Sequence, residues 1–253
     1  MKRSLAIACI LTLSCLGMAL TWQSWLVYPV LLGGLVAMLA VSREKLDVAF
    51  YLLGLTLGAA IDVGQTASGV TVYAAPAWLL FLPGFVFLYW ALAGIALRHL
   101  SRVLPPIQPH PADVALFVGV IGLSLAANLS PWRVAALMLV ALTIRCRFIR
   151  HPGDGIAALA GIALGPGLES LLLSRGLYHF PSAGSGLIPL WLVVLYACIG
   201  VSARSFVAYA EAAVRRLSGP GRYLALQAPW RRLGPSRGSQ RGSRGSDAGP
   251  GRS

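Results

Sequence analysis

Two carboxylic acids, Asp62 and Glu169, lie within long apolar runs of the sequence, and each follows a pair of glycines. Residues 54–62 read GLTLGAAID and residues 161–169 read GIALGPGLE, 107 positions later (169 − 62). On a helix, residues i, i+4 and i+8 lie on one face, so the two glycines and the acid of each segment form a single stripe. This stripe is the most unusual chemistry that the sequence contains.

A carboxylate inside a bilayer costs at least a few kcal/mol, so such residues normally face the interior of a helical bundle or a wet cavity. Two carboxyl groups that face each other in a dry site repel, and one of them then keeps its proton at neutral pH. We therefore predict that Asp62 and Glu169 line a shared cavity, where they bind a ligand or donate a proton. The alternative is a structural role, in which Arg133, Arg175 or a tyrosine is the partner of the acid.

Three further polar residues are candidates for the same cavity. Gln65 lies one helical turn beyond Asp62. Tyr178 and His179 follow the second acidic segment, and His179 is a candidate proton relay to Glu169. The alternative for these two aromatic residues is anchoring at the membrane interface, where such side chains are enriched.

The glycines and one proline predict how the acidic helices pack and bend. Small residues four positions apart, as at Gly54 and Gly58 and again at Gly161 and Gly165, let membrane helices approach closely. Pro166 removes a backbone hydrogen bond and predicts a kink next to the second acid, in a place where membrane proteins expose carbonyl groups to a cavity.

The composition excludes a soluble protein. The chain has 253 residues, of which 57% are hydrophobic and 11% charged, with a mean hydropathy of +0.73. Soluble domains carry about 25% charged residues. The four cysteines lie in apolar runs without CxxC or Cys/His spacing, and the sequence contains neither a phosphate-binding loop nor GxSxG. We therefore predict no metal and no cofactor.

The apolar runs predict an all-α, polytopic membrane bundle of about eight helices, because about 20 apolar residues cross a bilayer. An N-terminal signal peptide is the alternative for the first run. The predicted spans are 4–22, 25–41, 47–68, 76–97, 112–129, 132–146, 154–173 and 185–203.

The sequence further predicts that the bundle is a duplication. At the offset of 107, several non-aliphatic residues coincide without a gap: Trp25 with Trp132, Arg43 with Arg150, Asp47 with Asp154, Gly69 with Gly176, and Tyr89 with Tyr196. Four spans per unit make the two repeats parallel, with a pseudo-two-fold axis along the membrane normal. The predicted parts are a first repeat (1–103), a Pro-rich linker (104–111), a second repeat (112–210) and a basic cytoplasmic tail (211–253).

The basic residues predict the orientation in a bacterial inner membrane. Arginine and lysine cluster in alternate gaps between spans, whereas the opposite gaps hold only Arg133 and Arg175, which places both termini in the cytoplasm. A basic helix over 205–217 is predicted to lie on the membrane surface, and residues 218–253 are predicted to be disordered. Attraction of this tail to anionic lipid headgroups is favoured over nucleic-acid binding, because no aromatic residues interleave its Arg-Gly dipeptides.

Each acidic helix is followed by a Pro-x-Trp segment, Pro76 to Trp78 and Pro189 to Trp191, and then by Tyr89-Trp90 or Tyr196. This arrangement resembles an uncharacterised family of bacterial inner-membrane proteins that carry a domain of unknown function. The second half is also similar to membrane-bound carotenoid hydratases. That second resemblance implies the addition of water across a carbon–carbon double bond of a carotenoid.

The function that these patterns favour is binding or transport of a small or lipidic molecule in a cavity lined by Asp62, Gln65 and Glu169. One alternative is a membrane enzyme that acts on an isoprenoid or carotenoid-type lipid through a protonated carboxylate. Another is a structural or assembly subunit of an envelope complex. The sequence names no substrate and no oligomeric state.

Overall fold

Eight helices form the part of the chain that the structure, a computed structural model, describes: residues 2–183 and 187–217. Met1–Val214 form one compact unit. The helices are α1 (Lys2–Thr21), α2 (Val27–Ser42), α3 (Leu46–Ala67), α4 (Gly84–Leu100), α5 (Pro111–Ser124), α6 (Pro131–Phe148), α7 (Asp154–Ser174) and α8 (Leu190–Leu217). The predicted all-α membrane bundle is confirmed, and each helix overlaps one predicted apolar run. Four helices, α1, α3, α7 and α8, are long and apolar enough to cross a membrane.

Two short strands follow the acidic helices. The strands β1 (Val72–Tyr73) and β2 (Tyr178–His179) pair in antiparallel fashion, with Tyr73 opposite Tyr178. Gly69 and Gly176 precede them with positive φ of 70° and 67°, a conformation that a glycine adopts at little cost when a helix ends. The strands therefore join the segments that leave α3 and α7.

The predicted fourth span, 76–97, begins too early. The helix α4 starts at Gly84, and Pro83 is its extended N-cap. Residues 76–83 instead form an irregular loop whose tip, Leu80 and Phe81, has positive φ of 50° and 67°. The loop is as apolar as a span, but it is bounded by prolines, and proline disfavours helical geometry in the residue before it.

The last helix is longer than predicted. The sequence predicts a span ending at 203 and a separate surface helix over 205–217, whereas α8 runs without a break over Leu190–Leu217. The predicted start of the tail at residue 211 therefore falls within α8. The predicted disordered segment, 218–253, lies outside the described residues.

The interior of the bundle is held together by close packing. The first helix packs against α2 and α4, and α3 lies along α4. Within a membrane, lipid tails are as apolar as leucine, so van der Waals contact rather than the hydrophobic effect holds such helices together. Fully buried large side chains at the centre include Ile7, Met18, Leu31, Phe50, Leu92 and Trp191.

Two buried groups of ion pairs mark one end of the bundle. In the first charge cluster, Arg98 is fully buried and donates to Asp47, to Glu44 at 2.5 Å and to Glu211 at 2.8 Å. His99 also contacts Asp47, and Arg102 contacts both glutamates. Removing one partner of a buried ion pair typically costs 3–5 kcal/mol, so this cluster fixes how α3, α4 and α8 meet.

The second charge cluster lies between α5, α6, α7 and α8. Arg145 donates to Asp154 and, at 2.6 Å, to Asp113, while Arg204 donates to Asp154 at 2.7 Å. Asp113 also accepts a hydrogen bond from Ser205 at 2.5 Å. We call this the arginine end of the bundle. The opposite end carries the exposed indoles of Trp25, Trp78 and Trp132.

Candidate ligand cavity

A cavity of about 360 Å³ lies inside the bundle, bordered by α1, α3, α4, α5, α7 and α8. Most of its wall consists of apolar side chains from these helices, such as Leu57, Ile61, Leu164 and Leu168. Both predicted acids line it, together with a set of aromatic residues that carry polar atoms: Tyr73, Tyr89, Trp90, Tyr178 and Tyr196.

Asp62 is the more enclosed of the two acids, with only 9% of its surface exposed. One carboxylate oxygen, Oδ2, accepts two hydrogen bonds, from Tyr73 Oη at 2.8 Å and from Trp90 Nε1 at 2.7 Å. Tyr73 comes from β1 and Trp90 from α4, so three separate elements meet at this carboxylate. Both donors are electrically neutral.

Glu169 has the corresponding position in the other half of the bundle and is partly buried. Its Oε1 accepts a hydrogen bond from Tyr196 Oη on α8 at 2.5 Å. Glu169 lines the same cavity as Asp62. The cavity therefore brings together the two acids that the sequence separates by 107 positions.

The glycine before each acid makes room for the aromatic donor. A Cβ atom on Gly58 would lie 2.3 Å from the Trp90 ring, and one on Gly165 would lie 2.2 Å from the Tyr196 ring. The ring thus lies flat against the glycine, and its polar end reaches the carboxylate one helical turn further on. This contact explains the spacing of glycine and acid, which the sequence pattern attributes to helix packing alone.

The first glycine of each segment brings two backbones together. A Cβ on Gly54 would lie 2.9 Å from the Cα of Gly94, and one on Gly161 would lie 3.3 Å from the Cα of Gly200. In both cases a carbonyl oxygen of the facing helix is nearer still, at 2.3 Å and 2.2 Å. At these glycines α3 lies close to α4, and α7 lies close to α8.

The acidic helices differ in their backbone at this level. In α3, residues Gly54–Gly58 form a π-helical turn, a rare geometry that is frequent at functional sites. In α7, Pro166 lies inside a helix that continues through it. Both irregularities fall within one turn of the glycine that faces the aromatic ring.

Gln65 and Tyr178 line the cavity as predicted, and both are buried. Gln65 Nε2 donates to Ser124 Oγ at 3.0 Å, and its Oε1 accepts a hydrogen bond from Thr71 Oγ1 at 3.3 Å, so this side chain ties α3 to α5. The Tyr178 ring packs against the Tyr73 ring with centroids 5.5 Å apart.

His179 does not belong to the cavity, which corrects the prediction of a proton relay to Glu169. Successive residues of a strand point to opposite sides. In β2, Tyr178 is buried and His179 is exposed. In the structural alternative, Arg133, Arg175 or a tyrosine is the partner of an acid. A tyrosine donates to each acid, whereas Arg133 and Arg175 form no salt bridge with either acid in the described residues.

The aromatic donors are the residues that sequence reasoning did not assign to the site. An offset of 107 pairs Tyr196 with Tyr89, but the residue with the same contacts is Trp90, at an offset of 106. The same offset of 106 relates Gly94 to Gly200 and Arg98 to Arg204. A change of the offset from 107 to 106 between the acidic helix and the following helix was the signal that would have found them.

The cavity has mostly apolar walls, and Asp62 and Glu169 are its acidic residues. Among the described residues, no group of three or more histidine, cysteine, aspartate or glutamate side chains is arranged to hold a metal ion. The carboxylates face neutral phenol and indole groups, and space remains beside them for another molecule.

Comparisons with known proteins agree with a membrane helical bundle. Residues 120–217 match the family described as a protein of unknown function (DUF2878). The fold is similar to that of a mycobacterial Insig homologue, MvINS from Mycobacterium vanbaalenii, with a TM-score of 0.53 and 24% identity, over 66% of this chain and 94% of that chain. A cross-linked trimer of MvINS gives the same values. No curated protein matches, so the predicted similarity to carotenoid hydratases gains no support.

Proposed function

We propose that this membrane protein binds, and in doing so stores or transports, an amphipathic molecule whose polar group lies against Asp62 and Glu169. The observation that carries this proposal is the cavity itself. It is about 360 Å³ in volume, within the range of about 300–1,000 Å³ that small-molecule sites occupy. Its apolar walls converge on a few polar groups, which is the usual arrangement of a ligand site.

The geometry favours a molecule with an apolar chain over a small polar solute. Away from the two acids, the lining is dominated by leucine, isoleucine, alanine and phenylalanine side chains from six helices. An apolar chain there gains contact without unpaired polar atoms, whereas a small polar solute would lose its hydration at the walls.

We also propose that the arginine end faces the cytoplasm and that the basic tail is attracted to anionic headgroups. The distribution of arginine and lysine between the loops and the exposed tryptophans of the opposite end support this orientation.

A photoreactive long-chain alcohol tests the binding site. In nanodiscs, a diazirine derivative of dodecanol should label residues of the cavity wall such as Leu168 and the buried Leu172, as mapped by peptide mass spectrometry. An excess of unlabelled dodecanol should suppress this labelling. A membrane enzyme would convert its lipid rather than only bind it, and an assembly subunit would show no competable site.

A matched pair of variants locates the bound alcohol. Ala160 lines the cavity, so Ala160→Trp should fill it and abolish labelling of the wall. Leu159 is 67% exposed and lies outside the lining, so Leu159→Trp should leave the labelling intact. Labelling that spreads evenly over lipid-facing residues and ignores Ala160→Trp would contradict the proposal.

A further inference from the structure

Five aromatic residues and two carboxyl groups line the same part of the cavity, and this combination is the chemistry that recognises an ammonium ion. We propose that the polar group of the ligand is a protonated primary amine, so that the protein binds an amphipathic alkylammonium. This inference rests on the proposed function, because it names the class of molecule that the same cavity takes.

The charge of the site is the first argument. Arg204 is the only basic residue in the described lining of the cavity. Its guanidinium already donates to Asp154 at 2.7 Å and to the carbonyl oxygens of Pro105 and Pro152 at 3.1 Å and 2.8 Å. Nothing positive therefore compensates Asp62 and Glu169, and a buried carboxylate without a counter-ion is unfavourable. A cationic ligand supplies that counter-ion.

The hydrogen bonding of the acids is the second argument. The two donors to Asp62 both bond Oδ2, and the donor to Glu169 bonds Oε1. Within the described residues, Oδ1 of Asp62 and Oε2 of Glu169 accept no hydrogen bond, and neither is among the fully buried atoms without a partner, so both oxygens remain accessible. A primary ammonium group has three N–H donors and no acceptor, so it can donate to one of these oxygens and still has donors left for another. A hydroxyl group has one donor and can satisfy only one of them.

The aromatic rings are an independent argument for a cation. The rings of Tyr73 and Tyr178 lie 5.5 Å apart between centroids, and those of Tyr89 and Trp90 lie 5.6 Å apart. All four residues line the cavity, as does Tyr196. Aromatic rings attract ammonium groups through their negative faces, and sets of such rings recognise cationic ligands.

The same features disfavour an anionic lipid. A fatty-acid carboxylate or a phosphate group at this position would lie beside Asp62 and Glu169 without a basic residue as partner. A single ionised carboxylate there is enough to repel it, and like charges repel more strongly in a medium of low dielectric constant than in water. The predicted order of affinity is therefore amine, then alcohol, then carboxylate, for one and the same alkyl chain.

Equilibrium binding of dodecylamine, dodecanol and dodecanoate to the full chain in neutral-lipid nanodiscs tests this order, with empty nanodiscs subtracted for partition into lipid. Hydrogen bonds that involve a charged group contribute more free energy than those between neutral groups. We therefore expect dodecylamine to bind roughly 10- to 100-fold more tightly than dodecanol. The double variant Asp62→Asn and Glu169→Gln keeps the size of both side chains and should abolish this difference, leaving dodecanol affinity within about threefold.

The control variant is Asp247→Asn, which removes one carboxylate from the tail and should leave the preference for the amine intact. Equal affinity of wild-type protein for dodecylamine and dodecanol would overturn the inference, and so would a preference that survives in the double amide. In either case the labelling experiment with the photoreactive alcohol still decides separately whether the cavity is a binding site at all.

Discussion

The Asp62 and Glu169 regions are built on the same contacts but are completed differently. In each, a glycine accommodates an aromatic ring whose polar atom donates to an acid one turn later. Asp62 has a second donor, Tyr73. Tyr178, which pairs with Tyr73 across the two short strands, packs against that ring, and Tyr196 is the only donor to Glu169 within the described residues.

This difference shows which parts of the arrangement are interchangeable. The glycine and the facing aromatic residue are kept in both regions, even though one donor is an indole and the other a phenol. The number of aromatic hydrogen-bond donors differs, because Asp62 has two and Glu169 has one within the described residues. Asp62 is therefore held firmly in one orientation, whereas Glu169 has more freedom to adjust to a ligand.

The largest expected loss of stability comes from placing a methyl group between two helix backbones that are already in contact. Gly54→Ala and Gly161→Ala should each destabilise the protein by about 1–3 kcal/mol, because the added Cβ meets backbone atoms that cannot move aside independently. If the two crossings are equivalent, the thermal midpoints of the two variants in detergent will fall by similar amounts.

Gly119→Ala is the control for the glycine pair. Gly119 lies in α5 with nothing within 4 Å of an added Cβ. Alanine there should change the stability by no more than about 1 kcal/mol, in the stabilising direction, because it favours helix. A loss as large as that of Gly54→Ala would show that the effect is not a backbone clash.

Removal of one tyrosine donor should have an intermediate effect on stability, and the loss should differ between Asp62 and Glu169. Tyr196→Phe removes the donor to Glu169, whereas Tyr73→Phe leaves Asp62 with the Trp90 donor. We expect a loss of about 1–3 kcal/mol for Tyr196→Phe and about 0.5–1.5 kcal/mol for Tyr73→Phe. Chemical unfolding in mixed micelles measures both, and a larger loss for Tyr73→Phe would reverse our ranking of the two regions.

The smallest expected effect on stability is the pH dependence that Glu44 contributes in the first charge cluster. Burial by itself raises the pKa of Glu44, but hydrogen bonds from Arg102 and Arg98 outweigh burial and lower that pKa below its ordinary value of 4.5. A lowered folded-state pKa gives stability that is present above the unfolded-state value and is lost as the pH falls through the folded-state value.

Thermal unfolding between about pH 6 and about pH 3 tests this sign. The wild-type midpoint should fall more steeply with acid than that of Glu44→Gln, and the two curves should converge at the acid end. Because Glu44 is partly exposed, the difference will be small. Parallel curves would show that Glu44 adds nothing that depends on pH.

Most of the fold was predictable from the lengths of the apolar runs. The exceptions share one cause, which is that hydropathy reports the environment of a segment but not its backbone geometry. The loop 76–83 is apolar without being helical. The helix α8 continues past Arg204, whose two terminal nitrogens donate inside the bundle to Asp154 and to two carbonyl groups.

The acids of the site were predictable, whereas their partners were not. A carboxylate in an apolar run is conspicuous, because its burial needs a physical reason. Tryptophan and tyrosine are ordinary residues of membrane helices, so nothing marks Trp90 or Tyr196 as donors until the facing glycine is known. His179 was assigned to the cavity because its position one residue from Tyr178 does not reveal the alternation of a strand.

The glycine crossings also limit how this protein can move. At Gly54 and Gly94 the backbones of α3 and α4 are already in contact, and at Gly161 and Gly200 so are those of α7 and α8. Close-packed contacts of this kind are barely compressible. The two helices of each pair can therefore rotate relative to each other about their crossing point, but they cannot approach each other more closely. The cavity can therefore change its volume by separation or rotation of the two helix pairs, but not by a closer approach of the helices at these crossings.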